Sequence, residues 1–107
     1  VFQALQLHEK DNVAVAVIDC QGSLTITVQP PSNQPFFTIT TIEDIPFGHK
    51  IALQEINKGD IITKYGRPIG RSTAPIKIGG LVGVHNIEGL RGRGDLQAAG
   101  GERQWSF

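Results

Sequence analysis

The sequence predicts a compact, mostly β domain built of short bent hairpins, with little helix. Three observations carry that prediction. Apolar runs such as VAVAV at 13–17 and LTITV at 24–28 have the two-residue period of strands or their β-branched composition. Thirteen glycines and six prolines cut the chain into segments too brief for ordinary helices. One pattern also recurs: Ile56-Asn57-Lys58-Gly59-Asp60-Ile61-Ile62 and, 20 residues on, Ile76-Lys77-Ile78-Gly79-Gly80-Leu81-Val82. Each copy sets an Ile three residues before a Gly, with two branched apolar residues beginning two positions after it. A Gly there can adopt positive φ and turn the chain sharply. Two copies read as successive corners of one β domain, because a solenoid needs three or more units.

Taken in order, residues 1–10 fit a short strand or an arm folded over the body, with His8 as a surface histidine. Asp11-Asn12 are turn formers, and 13–18 reads as a buried strand whose alanines permit close coverage by a second layer. Gln21-Gly22-Ser23 turns the chain into a strand at 24–28, so that 13–18 and 24–28 are expected to pair as a hairpin. Three prolines make 29–35 a loop, since proline cannot donate to a ladder. Strands are expected again at 36–42, 49–54, 61–64, 68–71 and 81–86. Tyr65-Gly66-Arg67-Pro68 reads as a turn, Arg71-Ser72-Thr73 starts a connection, and only 51–57 is a candidate for a helical turn. From Gly89 onward glycine is abundant and no apolar period remains. The organisation is therefore a β domain over 1–88 and a Gly/Arg-rich linker or tail over 89–107, with Trp105 and Phe107 as anchors.

Composition narrows the function. A chain of 107 residues is one domain with one modest core. Ten basic and ten acidic side chains cancel, so no net field gathers nucleic acid or an anionic membrane. The single cysteine, Cys20, has no partner in the chain and reads as a small core hydrophobe. Without a disulfide framework the sequence leans toward a reducing compartment, and a cytoplasmic location is expected. No run near 18 apolar residues and no leader pattern is seen, so neither a membrane span nor a signal peptide is expected. The chain begins at Val1 and contains no methionine, so the natural start is expected to lie upstream.

Several matched strings then carry a resemblance. GHKIAL at 48–53, KYGRPIGRST at 64–73 and VGVHN at 82–86, preceded by DNVAVAV and followed by LRGRGD, resemble the amino-terminal domain of the altronate/galactarate dehydratase family. The same SAF domain resembles the small subunit of sulfolactate sulfo-lyase. The likeness covers roughly residues 9–95. It implies a β-clip fold and, for the complete enzyme, elimination of water from a sugar acid to give a 2-keto-3-deoxy acid. It implies a divalent metal, iron or manganese, in that enzyme; no metal ligand is assigned on this chain. It also implies a much larger catalytic chain or domain as partner, with a homo-oligomer open. The Pro-rich 29–35 segment and FFTITTI lengthen the first hairpin beyond the family's minimal pattern, which leaves the acid substrate open.

Such chemistry needs a base for the proton beside a carboxylate and an acid or metal at the leaving hydroxyl. His49 and His85 are the candidate catalytic residues, able to serve either role or to ligate a metal; they meet only if strand ends bring them together. Asp44 and Glu88 are the nearest carboxylates. The bland reading is that both histidines stabilise turns. Lys50, Lys64, Arg67 and Arg71 can hold a carboxylate, and Lys50, Arg71 and Asn86 are the substrate-binding candidates. Arg71 follows Ile69-Gly70, where backbone is expected to approach a ligand; Asn86 is more often a turn former. GLRGRG lacks the strand–turn–helix setting of a phosphate loop, and Arg93-Gly94-Asp95 is treated as a chance tripeptide. The leading function is an accessory domain or small subunit that completes or covers a hydro-lyase active site. The alternatives are a free-standing carbohydrate- or protein-binding module and an assembly element acting through the arm and tail.

Overall fold

A computed structural model of the protein describes residues 1–90. The tail expected over 89–107 falls, from residue 91 on, outside the described residues, as do Trp105 and Phe107. Nine strands lie among the described residues: β1 (Ala4–Leu5), β2 (Val13–Ala16), β3 (Thr25–Gln29), β4 (Phe37–Thr40), β5 (Lys50–Ala52), β6 (Ile61–Lys64), β7 (Arg67–Ser72), β8 (Leu81–Val82) and β9 (Ile87–Gly89). There is no helix among the described residues, so the helical turn considered at 51–57 does not form.

Six strands form one sheet in the order β4-β3-β1-β2-β5-β8, and three form a second in the order β6-β7-β9. Two apolar clusters fill the interior. The first gathers Ala4, Ala14, Ala16, Cys20, Ile26, Val28, Ile39, Ile45 and Ile51. The second, between β2, β5 and β8 and the smaller sheet, holds Val13, Ala52, Ile56, Ile62, Ile76, Val82 and Ile87. Directly paired residues share a face of a sheet, so the register fixes which side chains point into which cluster.

The hairpin expected between 13–18 and 24–28 is not made. β1 lies between β2 and β3, antiparallel to the first (Ala4↔Ala16) and parallel to the second (Ala4↔Val28). Small side chains at Ala4, Ala14 and Ala16, all buried, let these strands approach closely. Beyond β2 the chain crosses to another partner: Cys20 and Ile45 exchange both backbone hydrogen bonds at 2.8 Å. Period-two alternation identifies a strand but not its neighbour, and the arm at 1–10 took the vacant edge. Strand ends also retreat. The run expected over 81–86 stops at Val82 and gives way to a turn, while Arg67 and Pro68 join β7 rather than the preceding turn. That turn is only Tyr65-Gly66, both at positive φ (60° and 74°).

The recurring corner has three copies. Ile45-Pro46-Phe47-Gly48-His49-Lys50-Ile51 turns as the other two do, with Gly48, Gly59 and Gly79 at φ of 86°, 93° and 86°. In each copy the residue after the glycine donates its N–H back to the second residue of the corner: His49 to Pro46, Asp60 to Asn57, Gly80 to Lys77. The glycine and its successor then bracket one residue of a neighbouring strand: Ala16 for Gly48, Ser72 for Gly59 and Ala52 for Gly79. Two copies lock each other, because Ile56 and Ile76 exchange both backbone bonds while Ser72 and Ala52 each receive the other's corner. This is a local two-fold, and it explains the 20-residue repeat.

Candidate functional site

The corner at Gly48 delivers the first histidine. β5 and β8 pair antiparallel with Lys50↔Val82 and Ile51↔Leu81, so the start of β5, which follows His49, lies beside the end of β8, which precedes Gly83. Gly83 opens the turn that carries the second. Asn86 and Ile87 both donate their N–H to the Gly83 carbonyl at 3.0 Å, and the His85 ring lies over the same glycine. A Cβ placed on Gly83 would stand 3.6 Å from His85 Nδ1, ordinary contact. The two histidines, 36 residues apart in sequence, thus lie at the same end of the larger sheet, one just before β5 and the other just after β8. Both are exposed, and His49 Nδ1 has only a long contact of 3.4 Å to the Phe47 carbonyl. An exposed imidazole can serve as a proton donor or a proton acceptor.

Asn86 is what holds the second histidine in place. Its Oδ1 accepts the Gly83 N–H and its Nδ2 donates to the Leu81 carbonyl, each at 2.9 Å. Its backbone carbonyl accepts from Thr73, tying the turn to the end of β7. Both heteroatoms of the side chain are therefore committed to the turn.

Lys50 immediately follows His49 and is 4% exposed. It pairs with Val15 on one side and Val82 on the other, which directs its side chain to the face of the second cluster. Burial, and then the charge of Lys64, lower its pKa from the usual 10.5 to about 8. Lys64, half-buried, closes β6. The end of β6 is clamped to the start of β2 by two side chains that read only as turn formers in sequence. Asn12 Nδ2 donates to the Ile61 carbonyl and its Oδ1 accepts from Thr63, each at 2.9 Å. The buried carboxylate of Asp11 accepts the N–H groups of Tyr65 and Gly66 at 2.9 and 2.8 Å.

Arg71 is not brought to this end. It lies in β7 opposite Glu88 of β9, while its neighbour Ser72 and the paired Ile87 are buried, so Arg71 faces outward. The expected approach of a ligand to Gly70 also gives way to a packing reason. A Cβ on Gly70 would stand 2.7 Å from the Glu88 carbonyl oxygen, so glycine is there to admit β9. Asp44 accepts the Gly22 N–H at 2.9 Å, near the Cys20–Ile45 bridge. No three His, Cys, Asp or Glu side chains come together to hold a metal ion among the described residues. The donor set at the histidine end, two imidazoles with no carboxylate beside them, does not fit a resident metal. A shallow hollow of about 190 Å³ lined by His8, Glu9, Pro31 and Ser32 includes none of the candidate residues.

Residues 2–90 match the family described as the altronate/galactarate dehydratase SAF domain. The chain belongs to that family. As an SAF domain it is 42% identical over 85 residues to altronate dehydratase of Escherichia coli (strain K12), a match that takes in 79% of this chain and 16% of that enzyme. Altronate dehydratase of Bacillus subtilis (strain 168) is 40% identical over 84 residues, again 16% of its length. The chain thus spans about a sixth of these dehydratases. By contrast, the match to (2R)-sulfolactate sulfo-lyase subunit alpha of Paracoccus pantotrophus, 38% identical over 60 residues, takes in 90% of that subunit and 56% of this chain. The SAF domain therefore occurs both as a minor part of a large enzyme and as nearly the whole of a small subunit. No helix among the described residues is long and apolar enough to cross a membrane.

Proposed function

We propose that this SAF domain is an accessory part of a sugar-acid hydro-lyase, of the altronate or galactarate dehydratase type, and completes or covers an active site on a larger catalytic chain or region. One observation carries the reading: the matched segment makes up 16% of the altronate dehydratases and 90% of a sulfo-lyase subunit. A segment used in both ways is a module that serves a larger catalytic body.

The edge presented to that body is the sheet end that carries His49 before β5 and His85 after β8. In dehydration of a hydroxy acid, one imidazole takes the proton beside the carboxylate or the other supplies one to the departing hydroxyl. Asn86 acts as a positioning residue, since its side chain holds the turn that aims His85. Lys50 is the candidate for contact with the acid, and Arg71, on the outer face, is placed to meet the partner polypeptide. The metal, iron or manganese, belongs in this reading to the catalytic region. The enzyme works in the cytoplasm.

The test is kinetic. In the enzyme that joins this domain to its catalytic region, His49→Ala and His85→Ala are expected to lower kcat for altronate or galactarate by about 10²-fold or more, as loss of a general acid or base does. Both should leave the fold intact. Full kcat in both variants would remove the histidines from the chemistry.

A further inference from the structure

The corner that carries His49 is closed differently from its sister at Gly59. In the Gly59 corner the residue after the glycine is Asp60, whose Oδ2 accepts the Asn57 N–H at 2.8 Å. The side chain at that place is thus spent on closing its own turn, as short polar side chains commonly are. The Gly48 corner has His49 where the sister has Asp60, and Pro46 where it has Asn57. Proline has no N–H. Nothing at Pro46 therefore calls for a side-chain acceptor, and the His49 ring stays exposed, its Nδ1 3.4 Å from the Phe47 carbonyl. The hold that the turn lacks from within comes from outside: Asp19, three residues beyond β2, accepts the Phe47 N–H at 2.8 Å through Oδ1. Backbone bonds tie the same two segments on either side of that contact. Gly48 donates to the Ala16 carbonyl at 2.8 Å and Ala16 to the His49 carbonyl at 2.9 Å, while Cys20 and Ile45 exchange both bonds at 2.8 Å.

Asp19 and Phe47 are both exposed, so their bond shields no apolar surface and adds nothing to the core. What it fixes is the peptide beside Gly48, the residue of the corner with the widest conformational choice, at a φ of 86°. A carboxylate holds an N–H more firmly than a neutral acceptor does. We infer that Asp19 is a positioning residue for His49: its carboxylate sets the corner and so aims an imidazole that Pro46 has released from turn closure. Asn86 does the same for His85 from within its own turn. The inference rests on the hydro-lyase reading for the reaction that His49 serves; the hold of Asp19 on the ring stands or falls apart from it.

Two readouts separate the one from the other. In the 107-residue chain carrying isotope-labelled histidine, the ring NMR signals of His8, His49 and His85 are compared among wild type, Asp19→Ala and Asp19→Asn. Asp19→Ala is expected to shift or broaden the His49 signals and to leave those of His8 and His85 in place. Asp19→Asn, whose Oδ1 still accepts, is expected to keep the wild-type pattern. In the joined enzyme, domain and catalytic region together, Asp19→Ala is expected to lower kcat for altronate or galactarate about tenfold at an unchanged KM, and Asp19→Asn to restore it to within about twofold. Asp60→Ala removes the matching hold from the Gly59 corner, which carries no histidine, and is expected to keep wild-type kcat. Unmoved His49 signals in Asp19→Ala overturn the inference, as does full kcat in that variant where His49→Ala loses it. So does an Asn variant that behaves as Ala, which would assign the effect to the lost charge. An Asp60→Ala loss as large as that of Asp19→Ala would assign it to stability and overturn the inference too. If His49→Ala keeps full kcat, the hydro-lyase role of His49 fails, and the NMR comparison still decides whether Asp19 holds the ring.

Discussion

Replacing Lys50 by Met should make the isolated chain more stable at neutral pH, and the gain should vanish in alkali. Met keeps the length and volume of the side chain but needs no water. A pKa lowered from 10.5 to about 8 corresponds to a penalty on the charged form of at most about 3–4 kcal/mol, and about 1–2 kcal/mol once water reaching the amine is allowed for. Below about pH 8 the amine is charged in folded and unfolded chains alike, so the full penalty weighs on the fold. Between about 8 and 10.5 the unfolded chain holds a proton that the folded one has released, so stability rises with pH. Above that range Lys50 is neutral in both states and costs nothing. Burial and then Asp19 raise the pKa of Cys20 above 9.0, which acts in the opposite sense and erodes stability in alkali, but it is common to both chains and cancels. Urea denaturation of wild type and Lys50→Met at intervals from pH 6 to about pH 10.5 reads the difference directly. A Met variant that is less stable at pH 7, or a difference that stays flat with pH, would refute the burial of an uncompensated charge.

Other expectations follow from the same geometry. Gly79→Ala should cost more than about 3 kcal/mol, because the new Cβ would overlap the Thr40 carbonyl oxygen as well as sit at positive φ; Gly48→Ala and Gly59→Ala, open to space, should cost only about 1–2 kcal/mol of backbone strain. Thermal melts of the three variants would rank them. Asp11→Ala should destabilise by about 2–4 kcal/mol by leaving the Tyr65 and Gly66 N–H groups without their acceptor, and denaturant midpoints would check it. His49→Ala and His85→Ala should change stability by no more than about 0.5 kcal/mol, since both rings are exposed, so any loss of turnover in the joined enzyme would be chemical.

Much of the architecture was legible because alternation at 13–17 and 24–28 and the glycine corners are local signals. Pairing was not, because it depends on which strand is near: Ala4-Leu5, two residues long, displaced the hairpin that 13–18 and 24–28 suggest. The third corner was hidden by its own composition, since Pro46-Phe47 and His49-Lys50 mask the Ile-x-x-Gly frame that Ile45 and Gly48 supply. At the site, the proximity of His49 and His85 could be posed as a condition on strand ends but met only by the β5–β8 register. Gly70 before Arg71 looked like room for a ligand; the space is taken by the Glu88 carbonyl. In the sequence Lys50 is one of four cations able to hold a carboxylate, and only the strands on both sides reveal its burial.

The hydro-lyase assignment is tested most directly by assaying formation of the 2-keto-3-deoxy acid from altronate and galactarate with the 107-residue chain, the catalytic region, and the two together. The account expects no product from the chain alone, little from the catalytic region alone, and full turnover when they are combined. A catalytic region that is fully active without this domain would contradict it.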